Sequence, residues 1–234
     1  MKKFVKKCCG AKLYLNENCC KKKKKQVQRH GFEFENRIRY FAFKLPTKEN
    51  DTNVHDIDKT QNRFDKTENI SIKSSGCNNI WFGDLIRFFS YNFSEKNTII
   101  IVKYRQNGDY KIIEKIYEIN YNKEMHEYLF GDVKLNTLKD YIKKVKNIKK
   151  DINAKEAKKI WNYIAEKEKI MKDNNMNITI NPKVNSKGQR RVQCSININK
   201  IQKYIILKKT NEIRGNIIPK KRYSPKNKRK NNNY

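Results

Sequence analysis

From about residue 32 onward, apolar and polar positions alternate in patterns that each predict an element. Phe34, Ile38, Phe41 and Phe43 recur at broadly helical spacing, and Pro46 marks the end of that helix. Residues 54–58 alternate briefly and Ile70-Ser71-Ile72 does the same, so two short strands are expected, joined by the polar stretch 59–67. After a turn at 76–79, residues 80–89 are strongly apolar. Gly83-Asp84 opens a helix there through Leu85, Ile86, Phe88 and Phe89, with Trp81 and Phe82 read as core. Residues 98–104 and 110–119 flank Asn107-Gly108, the strongest hairpin signal in the chain. Residues 135–171 are mostly helical in pattern, with Ile142, Val145, Ile148, Ile160, Trp161, Ile164 and Ile170 as buried positions. Residues 177–181 and 191–197 alternate as strands around Ser186-Lys187-Gly188. The pattern as a whole predicts an α+β fold with a mixed central sheet.

Composition sharpens the boundaries. Residues 1–29 end in the run Lys21 to Lys25 and read as a flexible basic arm; residues 219–234 are basic and polar and read as a disordered tail. One domain, residues 30–218, is left between them, as a length of 234 allows. Lysine and arginine number 55 against 24 acids, a formal charge of +31. The two ends account for +17 of it, and residues 31–218 keep 37 basic and 23 acidic side chains. A body that basic favours a polyanion over an acidic small molecule, and nucleic acid leads. The joint richness in lysine, asparagine and isoleucine also fits an AT-rich coding sequence, whatever the function.

The six cysteines occur as Cys8-Cys9, Cys19-Cys20, Cys77 and Cys194, with no secretory apolar segment ahead of them, so disulfides are not implied. The adjacent pairs lack the gap that closes a zinc knuckle. His30, His55 and His126 are too scattered for a metal triad, and no Gly-rich phosphate loop or serine elbow is present. No stretch approaches the length of a membrane span, so the chain is expected to be soluble and intracellular, cytoplasmic or nuclear. The basic runs after Pro219 resemble nuclear-import signals and would equally add affinity for nucleic acid.

Three acid- or lysine-bearing segments follow one another: Gly31-Phe32-Glu33-Phe34-Glu35 on the first helix, Val54-His55-Asp56-Ile57-Asp58 on a short strand, and Glu68-Asn69-Ile70-Ser71-Ile72-Lys73-Ser74-Ser75 among β-formers. Phosphodiester cleavage needs a divalent cation held by carboxylates, and a lysine beside it to stabilise developing negative charge. Taken singly, Lys73 reads as a solvent-facing sheet lysine and Asp56 as a turn acid. Their order and spacing together favour a site.

On these motifs residues 31–89 resemble the PD-(D/E)XK nuclease superfamily, in particular type II restriction endonucleases. The resemblance implies an α/β/α restriction-endonuclease-like core and Mg2+-dependent, sequence-specific hydrolysis of double-stranded DNA. It implies a catalytic set of Glu35, Asp56, Ser71 and Lys73. Asp58 shares a strand face with Asp56 and is the alternative aspartate; Asp65 lies too close to Ser71. Two positions depart from the family: His55 stands where it has proline, and Ser71 where it has the acid of the last triplet. Some restriction endonucleases resemble this variant and supply the carboxylate from the following helix, which makes Asp84 a metal ligand beside Asp56. A palindromic target implies a homodimer, and the resemblance leaves room for a companion DNA methyltransferase.

Gln189, Arg190, Arg191 and Gln193 are the residue types that read base edges in the major groove. Alternation places Gln189, Arg191 and Gln193 on one face and Arg190 on the other. Lysines of residues 139–172, with Tyr104 and Arg105, would contact phosphate. Two alternatives stay open: a non-catalytic DNA-binding protein with a degenerate nuclease site, and an RNA-binding basic protein. The second lacks the aromatic-rich strand that single-stranded RNA modules use for stacking.

Overall fold

The computed structural model describes residues 26–47, 55–108, 110–149, 153–184 and 190–223. Its organising strand is β3 (Lys96–Asn107), which pairs parallel with β1 (Glu68–Ser75) on one side and antiparallel with β4 (Tyr110–Asn120) on the other. Gly108, at φ +57°, supplies the positive φ that the predicted β3–β4 hairpin needs. β3 is apolar on both faces: Ile99 and Ile101 enter one core, Ile100 and Val102 the other. That continuous run is what a strand buried on both sides requires. A bulge leaves Glu114 unpaired in β4, so Ile113 and Ile116, three apart, reach the same core.

Parallel β1 and β3 need a crossover. It is made by β2 (Asn79–Asp84) and α2 (Leu85–Phe89), with the Asp84 side chain capping α2 as the Gly83-Asp84 signal predicts. β2 belongs to a second, antiparallel sheet with β6 (Arg191–Asn197) and β5 (Thr179–Lys183). This sheet, α2, α3 (Lys123–Phe130), α4 (Leu135–Lys146) and α5 (Ala154–Asp173) enclose the larger core. Helix α1 (Gln26–Phe41) covers the other face of the main sheet, its Phe34 and Ile38, with Ala42 just beyond its end, joining Ile70, Ile72, Ile100 and Val102 in one core. The protein is an α+β fold. Among the described residues, no helix is long and apolar enough to cross a membrane.

The structure departs from several sequence-based expectations. α1 begins at Gln26, ahead of the expected boundary at residue 30; residues 1–25 lie outside the described residues. The strand expected at 54–58 is one antiparallel bridge, Ile57 to Ile70, because Asp56 spends its side chain on backbone beyond the bridge. Trp161 is 72% exposed: α5 packs through Ile160, Tyr163, Ile170 and Met171, and Trp161 falls off that stripe. Trp81 is 43% exposed although its neighbours Ile80 and Phe82 are core. Residues 221–223, expected in the tail, form β10 (Lys221–Tyr223) against β4, which also pairs with β7 (Ile205–Lys209). Pairing with a strand edge uses only backbone groups, so a basic, polar segment can add to a sheet.

The start of β1 is held by charge. Strand β8 (Glu212–Ile213) and β9 (Asn216–Ile217) form a hairpin whose turn residues Arg214 and Gly215 both have positive φ, unusual for arginine. The Arg214 guanidinium grips Glu68 with two hydrogen bonds of 2.6 and 2.9 Å and Glu118 on β4 with one of 3.0 Å. Both carboxylates are buried. Burial pushes the Glu68 carboxyl up, but Arg214, Thr98 and Asn62 outweigh it and hold it below the usual carboxylate range. Glu118, with one oxygen buried and unpartnered among the described residues, is pushed up by burial. A depressed acid contributes stability above its unfolded pKa of about 4.3, and that contribution is lost as pH falls through the folded value. Arg214→Met is therefore expected to cost about 3–5 kcal/mol at neutral pH by stranding Glu68. It should also weaken the fall in stability below about pH 4.3. Urea unfolding across pH checks both; a neutral cost under about 1 kcal/mol would contradict the cluster's role.

Candidate active site

Among the described residues β1 runs out of partner strand on its outer edge, and the site forms there. Ile70 exchanges both backbone hydrogen bonds with Ile57, at 2.9 and 3.0 Å, and Asp56 N–H also donates to the Ile70 carbonyl at 2.9 Å. Two residues on, Ile72 presents its N–H and carbonyl to the same side, and there side chains replace the missing strand. The Ile72 N–H donates to Asp56 Oδ2, and the Ile72 carbonyl accepts from Lys73 Nζ at 3.0 Å. Lys73 Nζ also lies 3.1 Å from Asp56 Oδ2, with both side chains half-buried. Arg39, on α1 and only 1% exposed, fixes the segment from behind by donating to the carbonyls of Asp56 and Pro46.

Ser71 projects from the face of β1 opposite Ile70 and Ile72. Its hydroxyl is 2.8 Å from the Tyr91 hydroxyl, in the loop after α2. Burial is the main cause that pushes the Tyr91 phenol above its usual range, so it stays protonated near neutral pH. The His55 ring meets Tyr91 edge to face at 5.3 Å between centroids. Burial lowers the His55 imidazole pKa, partly offset by Asp56, Asp58 and Glu95, while Arg87 lowers it further. The cluster thus combines one carboxylate, one ammonium, two hydroxyls and an imidazole kept neutral.

The expected residues separate. Asp56, Ser71 and Lys73 come together. Glu35 is half-buried on α1, which packs on the Ile70–Ile72 face, across the sheet from Ser71. Asp58 is exposed and accepts from Thr60 N–H at 2.9 Å and its hydroxyl at 2.8 Å, so it is a turn acid. Asp84 is exposed, caps α2 at 3.0 Å from Arg87 N, and pairs with Gln193 across the second sheet. Among the described residues, no three His, Cys, Asp or Glu side chains are grouped to hold a metal. The donors do fit a single magnesium held by the Asp56 carboxylate and the Ile72 carbonyl. This ion accepts one carboxylate when water and substrate phosphate complete its shell. The Lys73 ammonium rests on both of these oxygens, so an ion held there would take its place.

On the expected reading strand, Gln189 lies outside the described residues. Arg190 is 8% exposed and its guanidinium donates to the carbonyls of Val184, Ile148 and Lys149, so it anchors β6 rather than reading bases. The alternation holds: Arg191 is exposed and Gln193 half-buried on the other face. Arg39, Arg87 and Tyr91 escaped the sequence reading. An arginine inside the apolar stripe of Phe34, Ile38 and Ala42 is a signal for Arg39; Tyr91, in a loop, gives none.

Comparison with protein-family models, with characterised proteins and with solved structures returns no match.

Arg39→Met keeps the aliphatic packing and removes the donors. It is expected to lower unfolding free energy by about 1–3 kcal/mol, since two buried carbonyls lose a charged partner. Exchange of the Ile57 and Ile72 amide protons should quicken relative to those of β3. Unchanged exchange at Ile57 and Ile72 would show that Arg39 does not hold Asp56 in place.

Proposed function

We propose that this chain is a sequence-specific endodeoxyribonuclease of the restriction-endonuclease kind, hydrolysing double-stranded DNA with Mg2+ at the Asp56–Lys73 centre. The observation that carries the reading is the pairing of Asp56 and Lys73 at the open edge of β1, at 3.1 Å. Its support is the order of elements around it: helix α1, the Asp56 bridge, the Lys73 strand, a crossover and a parallel strand.

Asp56 and the Ile72 carbonyl would hold the ion. When bound, magnesium neutralises charge on the phosphoryl oxygens and acidifies an attacking water. Lys73, displaced by the ion from the Asp56 and Ile72 oxygens, would donate to the phosphoryl oxygen on which charge grows. Arg39 keeps the Asp56 backbone, and so its carboxylate, in register with β1. The protonated Tyr91 adds no negative charge that would repel the phosphate. The net charge of +31 supplies attraction to the backbone.

One observation favours a second reading. Ser71 occupies the position where the family carries its acid, and its hydroxyl is bound to Tyr91, the arrangement expected of a DNA-binding protein with a degenerate site.

Purified protein with magnesium is expected to cut unmethylated phage DNA into discrete fragments, with Asp56→Ala and Lys73→Ala slower by about a hundredfold or more. Intact DNA in every lane, with a magnesium-independent gel shift, would replace catalysis by the second reading. Variants that cut like the wild type would remove these residues from the centre.

A further inference from the structure

Along β6, Val192, Cys194 and Ile196 face the core, so Arg191 and Gln193 lie on the opposite face, beside Asn181 and Lys183 of β5 and Trp81 of β2. Trp81 is 43% exposed, while the residues on either side of it are buried. The Lys183 ammonium lies 4.0 Å from the centre of the indole ring. Lys183 and Arg191 are directly opposed across the β5–β6 pair, and like charges in that relation destabilise a sheet. Burial and Arg191 both lower the Lys183 pKa, as expected for two cations facing each other. An anion between them would remove that repulsion. A nucleotide brings both an anion and a flat ring.

We infer that this face binds an unpaired strand of DNA, the Lys183 ammonium moving off the Trp81 ring onto a phosphate beside Arg191 while one base takes its place on the indole. Bases in a duplex already stack on one another and cannot offer a ring face to an indole, so the strand must be unpaired here. Gln193 lies on the same face, where its carboxamide can meet base edges, while the Asn181 amide nitrogen is held by the Thr179 carbonyl and the Ser195 hydroxyl. The surface is a stacking platform with a cation pair, which tolerates many sequences. The choice of DNA over RNA rests on the function proposed above; the platform itself does not depend on Asp56 or Lys73.

The chain has two tryptophans, and Trp161, 72% exposed, is replaced by Phe so that emission reports Trp81 alone. Titrating this Trp161→Phe protein with a thymine oligonucleotide, without magnesium, is expected to quench Trp81 emission. Measured by anisotropy of a labelled oligonucleotide in the otherwise unaltered protein, Trp81→Ala should weaken binding about tenfold or more, as loss of a base–aromatic stack does, with Trp81→Phe retaining most of it. The double variant Lys183→Gln/Arg191→Gln should reduce the salt dependence of binding by about 0.7 in log–log slope. Unchanged affinity in Trp81→Ala, equal quenching by the matching duplex, or much tighter binding of the uridine oligonucleotide would each overturn the inference. Asp56→Asn is run alongside. Quenching retained with cleavage absent even in wild type sinks only the nuclease reading, and cleavage retained with quenching absent sinks only the platform.

Discussion

The outer edge of β1 is the constraint on which the rest depends. Its inner edge is paired with β3 along all eight residues, but on the outer edge, among the described residues, pairing is limited to the Asp56–Ile57 segment against Ile70. Backbone groups left open at a half-buried edge must be satisfied. Here Asp56 and Lys73 satisfy those of Ile72, and in doing so are held against each other. The pairing that completes the sheet is therefore the same pairing that creates the charged centre. Arg39 from one side and the Tyr91–Ser71 contact from the other leave the pair little freedom.

Much of this was legible in the sequence because it is written in short-range patterns. Asn107-Gly108 predicted the hairpin, Gly83-Asp84 predicted the capped α2, and Ile70-Ser71-Ile72 predicted the strand that carries Ser71 and Lys73. The alternation of residues 189–193 separated Arg190 from Arg191 and Gln193. What was not legible depends on distant parts of the chain. Tyr91 meets Ser71 only because the crossover returns past β1, and Arg190 is drawn inward by carbonyls on α4's following loop. Asp58 and Asp84 looked like ligands because an acid's type does not reveal whether a local turn or a helix end will claim it first. Trp81 was assigned to the core by its apolar character, yet the strand period places it with the polar residues of β5 and β6.

The charge of the chain is organised as well as large. At the start of β1, Glu68, Glu118 and Arg214 form a buried set that ties the β8–β9 hairpin to the main sheet. On the second sheet, Lys183 and Arg191 face each other. The first arrangement joins opposite charges and serves the fold; the second sets like charges together, where an anion would relieve them. The Asp56–Lys73 pair lies between these cases, neutral as it stands but offering both an oxygen donor set and an ammonium to an incoming phosphate.

The most direct test of the central claim is digestion of DNA in water enriched in the heavy oxygen isotope, with mass spectrometry of the fragment ends. Hydrolysis at the Asp56–Lys73 centre predicts one labelled oxygen in each new terminal phosphate, with the labelled yield collapsing in Lys73→Ala. Intact DNA, or fragments whose phosphates carry no label, would contradict it.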